Sequence, residues 1–250
     1  MENTFSFDRV WNHIKRDVVL LRSTFLTALA ICALLLFAFI QMNLFWDKKM
    51  SSEEFFGFLT FVYILSGILL SFSYFKEFHD DKYSALYLTL PISSSERLTA
   101  IWLSSFLGHS LTFLLLGVVV SSFFIFFGSF LFGAELNFVN ISPGEYWKMA
   151  KTYLYLQPIF LFGAATFKKN RKSKTFLLVF SITLCFVFFN IALFAVLNRG
   201  LDMFDQTGLG AKTFELAQKD FSGFGKWLFM ALLGPGILLA TYFKLKEKAG

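Results

Sequence analysis

Six stretches of this 250-residue chain contain no Asp, Glu, Lys or Arg: Ser23–Trp46, Phe55–Phe75, Leu98–Ala134, Thr152–Phe167, Thr175–Asn198 and Trp227–Phe243. A hydrocarbon core of about 30 Å is crossed by about 20 apolar residues of α-helix, and a charge left at mid-depth costs roughly 3 kcal/mol or more. The pattern predicts an all-α integral membrane protein with spans at about 23–46, 55–75, 100–133, 152–168, 175–198 and 226–243. Two stretches are unusual in length. Leu98–Ala134 is too long for one upright span and too short for two with a turn, so it is expected as one tilted helix whose first turns, around Ser104, Ser105 and His109, reach the polar zone. Thr152–Phe167 is short and carries Gln157-Pro158, which predicts a kink or a re-entrant segment.

Ahead of the first stretch, Phe7, Val10, Trp11, Ile14, Val18 and Leu21 recur at helical spacing, with Asp8, Arg9, Asn12, Lys15 and Arg16 on the other face. A basic amphipathic helix with Trp on its apolar face lies in the interface plane, so an interfacial helix is expected over residues 5–22. The apolar run begins too late for a cleaved signal peptide.

Charge then orients the chain. With six spans and the N-terminus inside, 15 of the 23 Lys and Arg residues fall on the cytoplasmic side and 8 on the other. The cluster Lys168-Lys169-Asn170-Arg171-Lys172-Ser173-Lys174 is the strongest anchor. Lys and Arg are retained inside, so both termini are expected in the cytoplasm. The net charge of +6 is explained by these flanks and needs no nucleic acid. Charged residues make up 16% of the chain, against about 25% in soluble domains. Six spans use nearly all of 250 residues, which predicts one membrane domain over 1–250 and no soluble catalytic domain.

The most informative polar segment is FKEFHDDKYSALYLTLPISSSERLTAIWL, residues 75–103, between the second and third spans. Tyr83, Leu86, Leu88 and Leu90 are too apolar for an idle loop. Pro91 stops the element, and Ser93 with Glu96 forms a capping box for the helix that follows. The expectation is an apolar knob suited to docking a protein partner. The alternative is an interfacial loop packed on the chain's own helices.

These residues resemble the matching region of ABC-2-type transporter permeases, in particular small permeases of Bacteroidetes-like bacteria. Such regions read as an acidic residue, a basic residue and Ser or Gly, then a Leu-rich run closing on Leu-Pro-x-Ser and an acidic residue. Glu77, Lys82, Ser84, Leu88, Leu90, Pro91, Ser93 and Glu96 stand at those positions. The layout resembles the family too, with an amphipathic elbow helix, six spans and both ends inside. The resemblance implies a type II exporter-like permease without its own ATPase. Its partners would be a cytoplasmic ABC ATPase and a second permease subunit, identical or not, in the bacterial inner membrane. It also implies that Tyr83–Arg97, with Glu77, Lys82 and the apolar residues above, serves as the coupling segment. The outer segment Arg199–Gly225 departs from better-studied members and is expected as an amphipathic surface helix or a solvated loop.

What the sequence lacks narrows the reading. No G-x-x-x-x-G-K-[ST] motif occurs, so ATP hydrolysis is expected in a partner. His13, His79 and His109 are too dispersed for a local metal motif, and no cofactor is expected. His109 is expected as a hydrogen-bonded structural histidine, and His79-Asp80-Asp81 as a solvated acidic turn. Ion-coupled transporters keep a charged residue inside the bundle, and none lies within these six stretches. Gly128-Ser129 has no evident general base except a distant His109, which disfavours an intramembrane hydrolase. Gln41, Asn43, Ser66, Ser71, Ser121, Ser122, Gln157 and Asn190 are read as helix-packing residues. The reading competing with a permease is a multi-pass assembly or accessory protein that recruits a cytoplasmic partner.

Overall fold

The computed structural model describes residues 5–135, 143–197 and 232–249. The expectations for 199–225 and for the start of the last span at 227–231 lie outside the described residues. Within them the chain is all-helical, with no strand. Three helices are long and apolar enough to cross a bilayer, Phe7–Trp46, Ser52–Tyr74 and the continuous Ser94–Phe132.

Helix α1 runs unbroken from Phe7 to Trp46, 40 residues or about 60 Å of rise. The interfacial helix and the first span expected as two elements are one rod, and no helix end falls at Arg22. The physical reason is local, since Phe7–Trp46 contains no Gly and no Pro to interrupt the hydrogen-bond ladder. Helix α2 (Ser52–Tyr74) starts at Ser51, whose hydroxyl accepts the backbone N–H of Glu54 at 3.2 Å. Two short helices, α3 (Lys76–His79) and α4 (Ser84–Leu88), carry the chain to α5 (Ser94–Leu103).

From α5 the third long helix continues through a π-helical turn at Ser104–Gly108, α6 (His109–Leu115), a second π-helical turn at Leu116–Val120 and α7 (Ser121–Phe132). The single helix expected over Leu98–Ala134 is therefore present. Its end is set by Gly133 at φ +60°, the left-handed position that a residue without Cβ fills at a helix C-terminus.

Helix α8 (Pro143–Thr166) is 24 residues long and passes through Pro158 without ending. It begins well before the expected span, with Pro143 and Glu145 in the first turn, where a missing N–H and a negative charge are both tolerated. A tight turn with Asn170 at φ 52° leads into α9 (Arg171–Leu197), and α10 (Gly234–Ala249) closes the chain. The described part of this helix is π-helical at 232–233 and passes through Gly234-Pro235-Gly236 as α-helix.

The core has two parts. At one end and through the middle, Leu36, Ile40 and Leu44 of α1 pack with Phe55, Leu59 and Tyr63 of α2 and with Phe113, Ile125 and Tyr153. Toward the other end, Phe72, Phe75, Phe78, Tyr87, Ile101, Leu161 and Leu245 form the second cluster. That second end is where the segments expected in the cytoplasm converge. Arg171 donates to the Phe75 carbonyl at 2.7 Å, Lys168 pairs with Asp81 at 2.5 Å, and Lys248 sits over the Phe78 ring at 4.3 Å. Lys48, between α1 and α2, instead bonds the Phe132 carbonyl at the opposite end.

Candidate functional site

The loop 75–97 is built against α1 and α5. Asp80 Oδ1 accepts the backbone N–H groups of Lys82 (2.9 Å) and Tyr83 (3.3 Å), a turn that launches α4. Pro91 lies exposed between α4 and α5. The capping box forms: Ser93 Oγ accepts the Glu96 N–H at 3.3 Å, and Glu96 accepts the Ser93 N–H at 2.9 Å.

Glu96 does more than cap. Fully buried, it also accepts the Ser6 N–H at 2.7 Å and a two-pronged contact from Arg9, whose Nη2 stands at 2.6 Å. Arg97 is buried as well. Its guanidinium lies 4.4 Å over the Tyr87 ring and donates to the Tyr87 carbonyl at 3.0 Å. Arg16 reaches the other side of the cluster, pairing with Glu77 and with Asp17 (3.0 Å), and passes 5.5 Å from the Tyr87 ring. His13 stands 3.6 Å from Asp17. The polar face of the first turns of α1 is thus a latch for the loop.

Of the residues assigned to coupling, Tyr83 is 48% exposed and Lys82 is exposed with its ammonium 5.5 Å from the Tyr83 ring. Ser84 opens α4. Leu88 and Leu90 turn inward, half-buried against the Phe75–Tyr87 cluster, and the Leu86 side chain lies outside the described residues. Glu77, Glu96 and Arg97 are spent on α1 and α4. The outward surface offered by the described side chains of this loop is therefore narrower than the apolar pattern predicted, and Leu88 and Leu90 follow the alternative of packing on the chain's own helices.

His79 donates from Nε2 to the Ala164 carbonyl at 2.9 Å, since a carbonyl only accepts. Burial lowers the His79 pKa and this bond partly offsets it. Asp81 is held below its ordinary range by its hydrogen bond to Lys168.

A second polar cluster lies inside the bundle. His109 is 3% exposed, stacks on Tyr63 at 4.8 Å and donates from Nε2 to the Tyr63 carbonyl at 3.0 Å, the structural role expected of it. Tyr63 Oη bonds Ser110 Oγ at 2.7 Å, and Tyr146 donates to the Ser110 carbonyl at 2.6 Å. Tyr153 donates to the carbonyls of Gly67 (3.0 Å) and Ser105 (3.2 Å), and Gln157 bonds Trp102 O and Ser105 Oγ. One of these acceptors, the Ser105 carbonyl, lies in the π-helical turn at Ser104–Gly108. Gln41 makes the equivalent bond to the Phe124 carbonyl at 2.9 Å. Gln41, Ser71 and Gln157 were visible as polar interruptions. Tyr63, Tyr146 and Tyr153 were not, since nothing local marks a tyrosine whose partners lie tens of residues away. No group of three metal-ligating side chains occurs among the described residues.

No family model, no curated protein and no solved structure matches this chain. What stands is the coarser class, an all-helical protein whose long apolar helices have the make-up of a membrane protein.

Proposed function

We propose that this chain is the membrane-spanning permease subunit of an ABC-2-type transporter, moving its substrate across a bacterial cytoplasmic membrane with energy from a separate ATPase subunit. The observation that carries the reading is the latched loop. Tyr83 and Lys82 face outward, while Tyr87, Glu96 and Arg97 fasten the same loop to α1 and α5. A displacement imposed at Tyr83 then passes into both helices, which is what a coupling segment has to do. Three features support it further. Among the described residues, α8, α9 and α10 are the helices that would supply the remaining spans of this reading beside the three long apolar ones. Segments from both ends of the chain meet the loop at the same end of the bundle. The buried charges among the described residues, Asp17, Glu96 and Arg97, belong to the latch, while the cluster around His109 is uncharged side chains and histidine, which suits transport driven from outside by a partner.

The test is co-expression with a P-loop ATPase encoded beside this chain. Tyr83→Ala is expected to weaken co-purification at least tenfold, about 1.4 kcal/mol, with membrane insertion unchanged, because anchors of this type cost on the order of 2 kcal/mol when truncated. Full retention of the partner by Tyr83→Ala refutes the docking role. Steady ATP hydrolysis by the homogeneous chain alone refutes the permease reading.

A further inference from the structure

Two cavities meet at Phe25, Leu70 and His109, which line both. The larger, about 780 Å³, is an apolar groove between α1 and the third long helix, walled by Trp11, Val18, Leu26, Leu103, Leu107 and Leu111. The smaller, about 400 Å³, lies between α1 and α2 and is hydroxyl-rich, with Ser23, Thr24, Thr27, Ser66 and Ser73 in its wall and Lys172 beside them. Arg22 borders the apolar groove, on the same turn of α1 as Ser23. Neither Arg22 nor Lys172 has a hydrogen-bond or ion-pair partner among the described residues.

The walls of the groove belong to two of the helices able to cross a bilayer, and Leu26, Leu107 and Leu111 are half or more exposed. The groove runs along α1 from Phe7 to Leu26 and so crosses the Arg22–Ser23 boundary at which the uncharged stretch begins, which leaves its Leu26–Leu107–Leu111 end facing hydrocarbon and its other end in the head-group zone. His109 gives its Nε2 hydrogen to the Tyr63 carbonyl, which leaves Nδ1 as an acceptor where the two cavities join.

A groove for hydrocarbon, joined to a cleft with hydroxyls and two unpaired cations, is complementary to an anionic amphiphile whose head group also carries hydroxyls. We propose that this composite site holds one anionic phospholipid, with an acyl chain in the α1–third helix groove and its phosphate drawn to Arg22 and Lys172. The site does not depend on the transporter reading, because it requires only that these helices lie in a bilayer.

The experiment is native mass spectrometry of the full chain in detergent, titrated with phosphatidylglycerol, with phosphatidylcholine of the same acyl chains, and with glycerol phosphate alone. One phosphatidylglycerol is expected to be retained at least tenfold more tightly than phosphatidylcholine. Arg22→Gln with Lys172→Gln should abolish that preference. Gly108→Phe should displace the lipid by a separate route, since Gly108 lines the groove and a Cβ there meets no atom within 4 Å. Equal retention of both phospholipids overturns the proposal, as does retention of phosphatidylglycerol that survives the charge substitutions. Glycerol phosphate binding as tightly as the whole lipid overturns it too, by reducing the site to one for a small anion. Should Gly108→Phe alter the elution profile, the two exposed charge positions decide the matter alone.

Discussion

Gly67 offers the sharpest test of how the bundle is packed. A Cβ built on Gly67 would stand 2.5 Å from Tyr153 Cε2, 2.6 Å from Cζ and 3.0 Å from His109 Nε2. Carbon atoms settle near 3.5–4.0 Å, so Gly67→Ala has to push α2 from α8 or swing the Tyr153 ring. Swinging the ring is no cheap escape, because its hydroxyl is held by the carbonyls of Gly67 and Ser105. Overpacking of this kind costs about 1–3 kcal/mol, partly offset by up to about 1 kcal/mol from the better helix propensity of Ala. The net loss is about 1–2 kcal/mol, or roughly 2–8 °C in melting temperature for a chain of this size. Thermal unfolding in detergent, followed by loss of monodispersity, measures it. The mechanism is isolated on a Tyr153→Ala background. That change alone is expected to cost about 3 kcal/mol or more, but with the ring gone Gly67→Ala should become neutral or mildly stabilising. Equal shifts from Gly67→Ala on both backgrounds would place the cost outside the α2–α8 crossing and refute the reasoning.

Glu96→Ala removes a helix cap, worth about 1 kcal/mol, and leaves the Ser6 N–H unpaired at a further 1–2 kcal/mol or so. Limited proteolysis should then cut within residues 5–22 of the variant and spare the native chain. The His79 pKa is lowered by burial, so below the ordinary value of 6.5 the opened loop takes up a proton that the closed loop resists. Its stabilising effect is complete above that pH and declines as pH falls. Hydrogen exchange in residues 76–90 should accelerate from pH 7.5 to 5.5 beyond the intrinsic rate change, and His79→Gln should flatten that dependence. Cysteines placed at Ser173 and Lys248 should be labelled only from the cytoplasm and one at Lys49 only from outside. Labelling of Ser173 from the outer face would refute the six-span orientation.

The sequence exposed the helices more readily than their contacts. Absence of charge marked α2 to within three residues and the long Ser94–Phe132 helix to within six, because lipid enforces that pattern position by position. The Ser93–Glu96 capping box was legible because both partners lie within one helical turn. By the same logic the break at residue 22 was misjudged. Amphipathic spacing changes there, but a helix ends only where its backbone bonds are interrupted, and nothing in Phe7–Trp46 does so. The latch was invisible. Arg9 meets Glu96 across 87 residues and Arg16 meets Glu77 across 61, and no local rule distinguishes a buried Arg97 from the exposed cations around it. The apolar residues of the loop were read as surface for the same reason. Leu88 and Leu90 have a period, but not a side, until Phe75 and Tyr87 are placed beneath them.

Helix α1 and the third long helix are tied at both ends, and the ties do not match. At one end Arg9 meets Glu96, 87 residues on, and at the other Gln41 meets Phe124, 83 residues on. Four fewer residues on the third helix amount to about 6 Å of rise, and each π-helical turn spends more residues per turn still. Between its ties α1 has no π-helical turn, glycine or proline, so it behaves as a stiff strut, and its companion is the shorter, compliant member. Residues 97–123 are where that compliance is concentrated, with both π-helical turns inside. Moving either π-helical turn along the helix rotates only the residues it passes over, by about 100°, and leaves both ties in place. His109, Ser110 and the wall of the apolar groove all lie within that stretch, so the polar cluster and the groove are geared to the same change of register.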